Sequence, residues 1–192
     1  MGTVSKPVCE QQRRGSWTAL QTAALVLVEE RGFGAVTVDD VAARAGVSRR
    51  TFFNHFPTKA AALFDPHPDD ADRLTRLLAD ADTTDGLWVA LRSVCLEFVA
   101  GYEAVLPVRR RLVAEDAELD AYHRTAHRHV GSAVEAWTMA HLPTDPVRAA
   151  LVAEAVAAVL ITSFTTWQPD DDPVAFTELV ARGFDVLGAG LA

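Results

Sequence analysis

The side chains with the most chemistry to offer stand close together, in Arg49-Arg50-Thr51-Phe52-Phe53-Asn54-His55-Phe56-Pro57-Thr58-Lys59. If 49–55 is a helix, Phe52 and Phe56 fall at i and i+4 and point inward. Arg49, Arg50, Thr51, Phe53 and Asn54 are then left for solvent. An arginine matches guanine O6 and N7, an asparagine matches the hydrogen-bonding edge of adenine, and a threonine bonds or touches a thymine methyl. A short helix carrying these groups in its first turns suits a DNA major groove. Catalysis finds no comparable set. No Gly-x-Ser-x-Gly, phosphate-loop or dinucleotide fingerprint occurs, which argues against an enzyme and against any cofactor.

The preceding residues supply the support such a helix needs. Thr37 is a helix cap and Asp40, three positions on, can complete a capping box. Val41, Ala42 and Ala45 give that first helix an inward face, and Ala42 is small where a second helix must cross. Gly46 ends it, as a residue that takes positive φ cheaply. Val47 plugs the turn and Ser48 caps the helix that begins at Arg49. The pattern is a helix-turn-helix.

Residues 17–59 resemble the DNA-binding domain of the tetracycline-repressor (TetR) family of bacterial transcription regulators. The resemblance lies in Ala23-Ala24-Leu25, Glu30-Arg31-Gly32-Phe33, Thr37-Val38-Asp39-Asp40-Val41-Ala42, Ala45-Gly46-Val47-Ser48 and Thr51 to Lys59. It implies a homodimeric regulator, most simply a repressor, released from a palindromic operator by a small, mostly apolar effector. Arg49, Arg50, Thr51 and Asn54 would read bases. Thr37, Ser48, Phe53, His55 and Lys59 would set the register on the DNA backbone. At the Phe53 position the family usually has a tyrosine whose hydroxyl holds a phosphate, and Phe53 lacks that bond.

The whole chain carries a net charge of −8, which taken alone disfavours a nucleic-acid partner. Residues 1–60 hold eight basic against five acidic side chains, net +3, leaving ten against 21, net −11, in 61–192. One end suits phosphates while the acidic remainder discourages non-specific wrapping. Of the 192 residues 49% are hydrophobic, ample for a core, and the abundance of Ala, Val and Leu predicts an all-α fold. Residues 1–15 show no apolar stretch of a signal peptide, and Arg148 and Glu154 interrupt the apolar 146–167 segment, so a cytoplasmic protein is expected. Cys9 and Cys95 have no metal-ligand spacing.

Three regions are expected: a flexible arm over 1–15, a helix-turn-helix domain over 16–60, and an effector-binding and dimerisation domain over 61–192. In the arm, Arg13 and Arg14 are candidates for backbone contact, with a solvated tail as the competing reading. Ser16 should cap a first helix ending at Gly32. A helix capped by Thr58 should stop at Asp65-Pro66-His67-Pro68, where the family usually has one longer helix. Further helices are predicted from Asp69 or Asp70 to about Ala81, over roughly 85–104 and over about 108–115. A long one should follow from Asp116 to about His141. Asp145-Pro146 and Asp172-Pro173, each a cap followed by proline, open the last two, to about Trp167 and Gly188.

The 146–167 helix is apolar nearly all round, which predicts a surface shared with a second copy through this helix and 173–188. Trp88, Leu91, Phe98, Tyr102, Trp137 and Phe164 are candidates for an effector chamber, although each also reads as ordinary core. Arg110, within Arg109-Arg110-Arg111, is a candidate for an anionic head group; a solvated face paired with Glu115, Asp116 and Glu118 competes. The alternative function is metal sensing, with His123 and His127 sharing a helix face at i, i+4 as Zn²⁺ or Ni²⁺ ligands.

Overall fold

A computed structural model describes residues 6–190, and every regular element in it is a helix. The chain divides into two compact units. The first ends at Pro68 but also takes in Glu115–Ala126; the second comprises Asp69–Ala114 and the chain from His127 onward. The expected boundary at residue 60 therefore moves to Pro68, and a helix from the middle of the chain joins the N-terminal unit.

In that unit α1 (Lys6–Arg31) buries Trp17, Leu20, Ala24, Leu27 and Val28 along one stripe and stops at Gly32, whose φ is 79°. A 3₁₀ turn (Phe33–Ala35) leads to α2 (Val38–Arg44), α3 (Arg49–His55) and α4 (Lys59–Phe64). The last four residues of α4, Ala61 to Phe64, have no solvent exposure. Their faces close on α1 and on α8 (Ala117–Ala126). The helical start at Lys6 corrects the expected arm: residues 6–15 continue α1, and 1–5 lie outside the described residues. Ser16 consequently caps nothing. It lies within the helix, and its hydroxyl donates to the Gln12 carbonyl one turn back.

The second unit contains α5 (Asp70–Ala79), α6 (Leu87–Val99), α7 (Leu106–Glu115), α9 (Arg128–His141), α10 (Pro146–Thr166) and α11 (Pro173–Ala189). Here α10 packs against α9 and α11, α11 against α6, and α5 against α6 and α9. Leu74, Leu91, Val94, Phe98, Val134, Val156, Trp167, Val180 and Phe184 form the centre of the core. Gly183 lets α10 and α11 approach, since a Cβ there would lie 2.8 Å from Val159 Cγ1. The caps at Asp145 and Asp172 form as expected, accepting from the backbone N–H of Arg148 and Val174.

Two helix ends differ from expectation. The segment 85–104 stops at Val99, where the Arg73 guanidinium donates to the terminal carbonyls of Glu97 and Phe98. Pro107 lies in the first turn of α7, where its missing N–H is harmless. The long helix over 116–141 is broken between Ala126 and Arg128. Asp116 does cap α8, accepting from Glu118 and Leu119 N–H. However, α8 buries Leu119 in the first unit while α9 buries Val130, Val134 and Thr138 in the second, so no single stripe runs through both.

By length and composition α10 is apolar enough to cross a membrane, despite Arg148 and Glu154. One of its faces, with Ala149, Ala153, Val156 and Val159, belongs to the core. Another leaves Val147, Leu151 and Ile161 exposed.

Candidate nucleic-acid interface

The support for α3 forms as its residues require. Thr37 Oγ1 accepts from Asp40 N–H at 3.2 Å, and Asp40 Oδ2 accepts from Thr37 N–H at 2.8 Å, closing the capping box on α2. The Thr37 hydroxyl, which also donates to Asp40 Oδ2, and then the Thr37 N–H hold the Asp40 carboxyl below its usual pKa. Gly46, at φ 69°, makes the turn, and Val47 N–H donates back to the Ala42 carbonyl at 3.0 Å. Ser48 Oγ accepts from Thr51 N–H at 3.1 Å and so starts α3. Phe52 and Phe56 are fully buried, which fixes the rotation of α3 about its axis.

That rotation leaves Arg49, Arg50, Phe53 and Asn54 exposed on one outer face. Arg49 is not loose: its Nη1 lies 2.6 Å from Asp39 Oδ2 on α2, and its guanidinium sits 5.3 Å from the Phe53 ring centroid. Thr51 is half-buried and its hydroxyl lies 2.9 Å from that of Ser48, so it serves the cap as well as the surface. His55 is half-buried. Loss of hydration, then the positive charge of Arg13, lowers its pKa, so it is held toward the neutral ring. Arg13 and Arg14 are exposed on α1.

Lys59 points elsewhere. Its ammonium donates to the carbonyls of Phe33 and Val36 and lies 3.9 Å above the Phe33 ring centroid. Partial burial lowers its pKa. It thus ties the start of α4 to the turn before α2. Asp39 is the functional candidate that sequence reasoning missed. It lies ten positions before Arg49 on another helix, and no periodicity links the two.

The effector-chamber candidates all belong to the second unit. Leu91, Phe98 and Phe164 are buried in its core, with Trp88, Tyr102 and Trp137 packed against it. Each polar tip has a local partner: Trp88 Nε1 donates to the Phe184 carbonyl, Trp137 Nε1 to the Leu78 carbonyl, and Tyr102 Oη to Asp70 Oδ2 at 2.7 Å. Burial and the Asp70 charge raise the Tyr102 pKa, so its phenol stays protonated. The arginine run is not one solvated face. Arg109 is buried, Arg110 donates to the carbonyls of Thr165 and Trp167 at the end of α10, and Arg111 pairs with Asp170 at 3.4 Å.

The structure gives the metal alternative no support. The break at His127 takes His123 and His127 off a common helix, and the His123 ring instead lies 5.6 Å from Phe64. Among the described residues no three His, Cys, Asp or Glu side chains gather as metal ligands.

Residues 20–65 match the family described as bacterial regulatory proteins, tetR family. The chain is 32% identical over 187 residues, 93% of each protein, to the putative mycofactocin biosynthesis transcriptional regulator MftR of Mycobacterium tuberculosis. It is 36% identical over 93 residues to the transcriptional regulator EthR of the same species, covering 45% of this chain and 43% of EthR. Among solved structures, a TetR-family regulator of Syntrophomonas wolfei superposes with a TM-score of 0.64 at 18% identity, covering 95% of this chain and 98% of that one. Thermus thermophilus FadR, a TetR-family repressor solved with lauroyl-CoA, gives 0.58 at 23% identity, covering 92% and 95%. The chain belongs to the TetR family of DNA-binding transcriptional regulators. Its relatives are regulators and not enzymes.

Proposed function

We propose that this protein is a homodimeric repressor that binds a palindromic operator through α3 and leaves it when a small, mostly apolar ligand binds the C-terminal unit. The observation that carries the reading is the outer face of α3. Arg50 and Asn54 are exposed beside the tethered Arg49, above a fully buried Phe52 and Phe56. Arg49, Arg50 and Asn54 read bases, with Thr51 at the edge of that surface. Thr37, Ser48, His55, Arg13 and Arg14 set the register on the backbone, and Lys59 acts by fixing the turn that presents α2.

Dimerisation is supported by α10, whose exposed stripe runs through Val147, Leu151, Glu154, Ala158 and Ile161, apolar except for the one carboxylate. Val174 and Val186 of α11 are exposed as well. An exposed face of this length, apolar but for Glu154, favours a second copy. Two copies of α3 then meet two half-sites about 34 Å apart. An effector shifts this dimer off DNA only by its differential affinity for the two forms.

The test is a mobility-shift titration of full-length protein against DNA flanking its gene, repeated across salt. Saturable binding at two subunits per palindrome is expected, and Arg50→Ala should weaken it by about 1–3 kcal/mol. Lauroyl-CoA, the ligand in the Thermus thermophilus FadR structure, is the first effector to add. A protein that selects no site even from random duplex DNA would overturn the reading.

A further inference from the structure

We propose that Asp39 is a specificity-determining residue: acting through Arg49, it holds the guanidinium against Phe53 so that the two side chains read a guanine and a nearby thymine as one unit. The inference rests on α3 being the base-reading helix. Its geometry has three members. Asp39 Oδ2 lies 2.6 Å from Arg49 Nη1, Arg49 Cζ lies 5.3 Å from the Phe53 centroid, and Phe53 stands edge-on to the buried Phe52 with centroids 5.4 Å apart at 82°. The ring is therefore set from the core side, and the guanidinium is held by the ring and the carboxylate together.

All three remain open to a ligand. The Arg49 and Asp39 side chains are 59% and 63% exposed, and Phe53 is 46% exposed. An ion pair this wet adds little to stability. Asp39 also puts a negative charge on a face that must approach phosphates, where it opposes binding to any sequence. What the carboxylate does supply is orientation, which matters more once DNA displaces water from around the pair. A guanidinium held in one direction keeps N–H groups for guanine O6 and N7, and the free edge of Phe53 suits a thymine methyl. Their separation spans one to two base steps of about 3.4 Å, so the two bases are neighbours or next neighbours.

The plain role for Asp39 is to offset the helix dipole in the first turn of α2. That role predicts altered stability with an unchanged base preference. The experiment is site selection from random duplex DNA by the full-length protein, then titration of the selected and scrambled duplexes. Asp39→Asn should bind scrambled DNA more tightly, yet lose about ten-fold or more of its preference at one guanine and a nearby thymine. Phe53→Leu should lose preference at the thymine alone, and Asp39→Glu should regain part of what Asp39→Asn loses. A folded Asp39→Asn protein that selects the wild-type profile, or weakens evenly at every position, overturns the proposal. If the wild-type protein selects no site, or Arg50→Ala binds as well as wild type, the reading of α3 has failed and this inference falls with it.

Discussion

The Tyr122 hydroxyl donates to Asp65 Oδ1 at 2.8 Å, joining α8 to the residue that ends α4 across 57 positions of chain. The Phe64 ring lies 6.3 Å from the Tyr122 ring and 5.6 Å from the His123 ring. From the other side, Gln21 of α1 donates to the Asp65 carbonyl at 3.2 Å. Tyr122→Phe keeps the ring and removes only the hydroxyl. A bond to a charged acceptor, partly exposed to water, contributes about 1 kcal/mol, so the unfolding free energy should fall by that amount, read as a lower denaturation midpoint with an unchanged slope. A loss beyond about 3 kcal/mol would mean that the ring had moved as well.

Alkaline pH should weaken the fold. Burial, then the Asp65 bond, raises the Tyr122 phenol from near 10 to about 12; burial raises the Cys95 thiol from 9 to about 12. Each folded group holds its proton more tightly than the unfolded one. The stabilisation is complete below the unfolded values and is lost as pH rises toward about 12. Melting temperatures should be level up to about pH 8.5 and decline above it. In a Cys9→Ser background, Cys95 should also resist thiol reagents until the unit that buries it opens.

Lys59→Met separates a structural lysine from a phosphate contact. Its two carbonyl bonds, partly exposed, are together worth about 2 kcal/mol, so thermal stability should fall. The salt dependence of operator binding should stay as in wild type. A slope reduced by about 1 would return Lys59 to the DNA backbone.

Leu151→Glu tests the exposed stripe of α10, since Leu151 is 65% exposed in the single chain. Sedimentation should show a monomer where wild type is a dimer, with helix content retained, because the change is made on a face already wet in the monomer. Operator binding should fall with it. A stable dimer in this variant would place the subunit contact elsewhere.

Signals whose physical cause is local were the legible ones. Thr37 with Asp40, Ser48, Thr58, Asp145-Pro146 and Asp172-Pro173 all cap helices as expected, because a cap and its N–H lie within three residues. The buried pair Phe52 and Phe56 likewise follows from spacing alone. What escaped depends on distant chain. Nothing at His127 breaks a helix; the break arises because Leu119 and Val130 belong to different cores. Ser16 looked like a cap and proved to be mid-helix. Asp39 meets Arg49, and Lys59 meets Phe33 and Val36, only after separate helices have folded together.

The N-terminal unit is assembled from two separate stretches of chain, one ending at Pro68 and the other Glu115–Ala126. The unit that carries α3 is therefore not a detachable cassette. A chimera spliced once, after Pro68, would part Asp65 from the Tyr122 hydroxyl and leave Phe64 open on the face that α8 covers. Exchanging operator preference between such regulators would take two grafts, the second moving α8 along with the helices it covers.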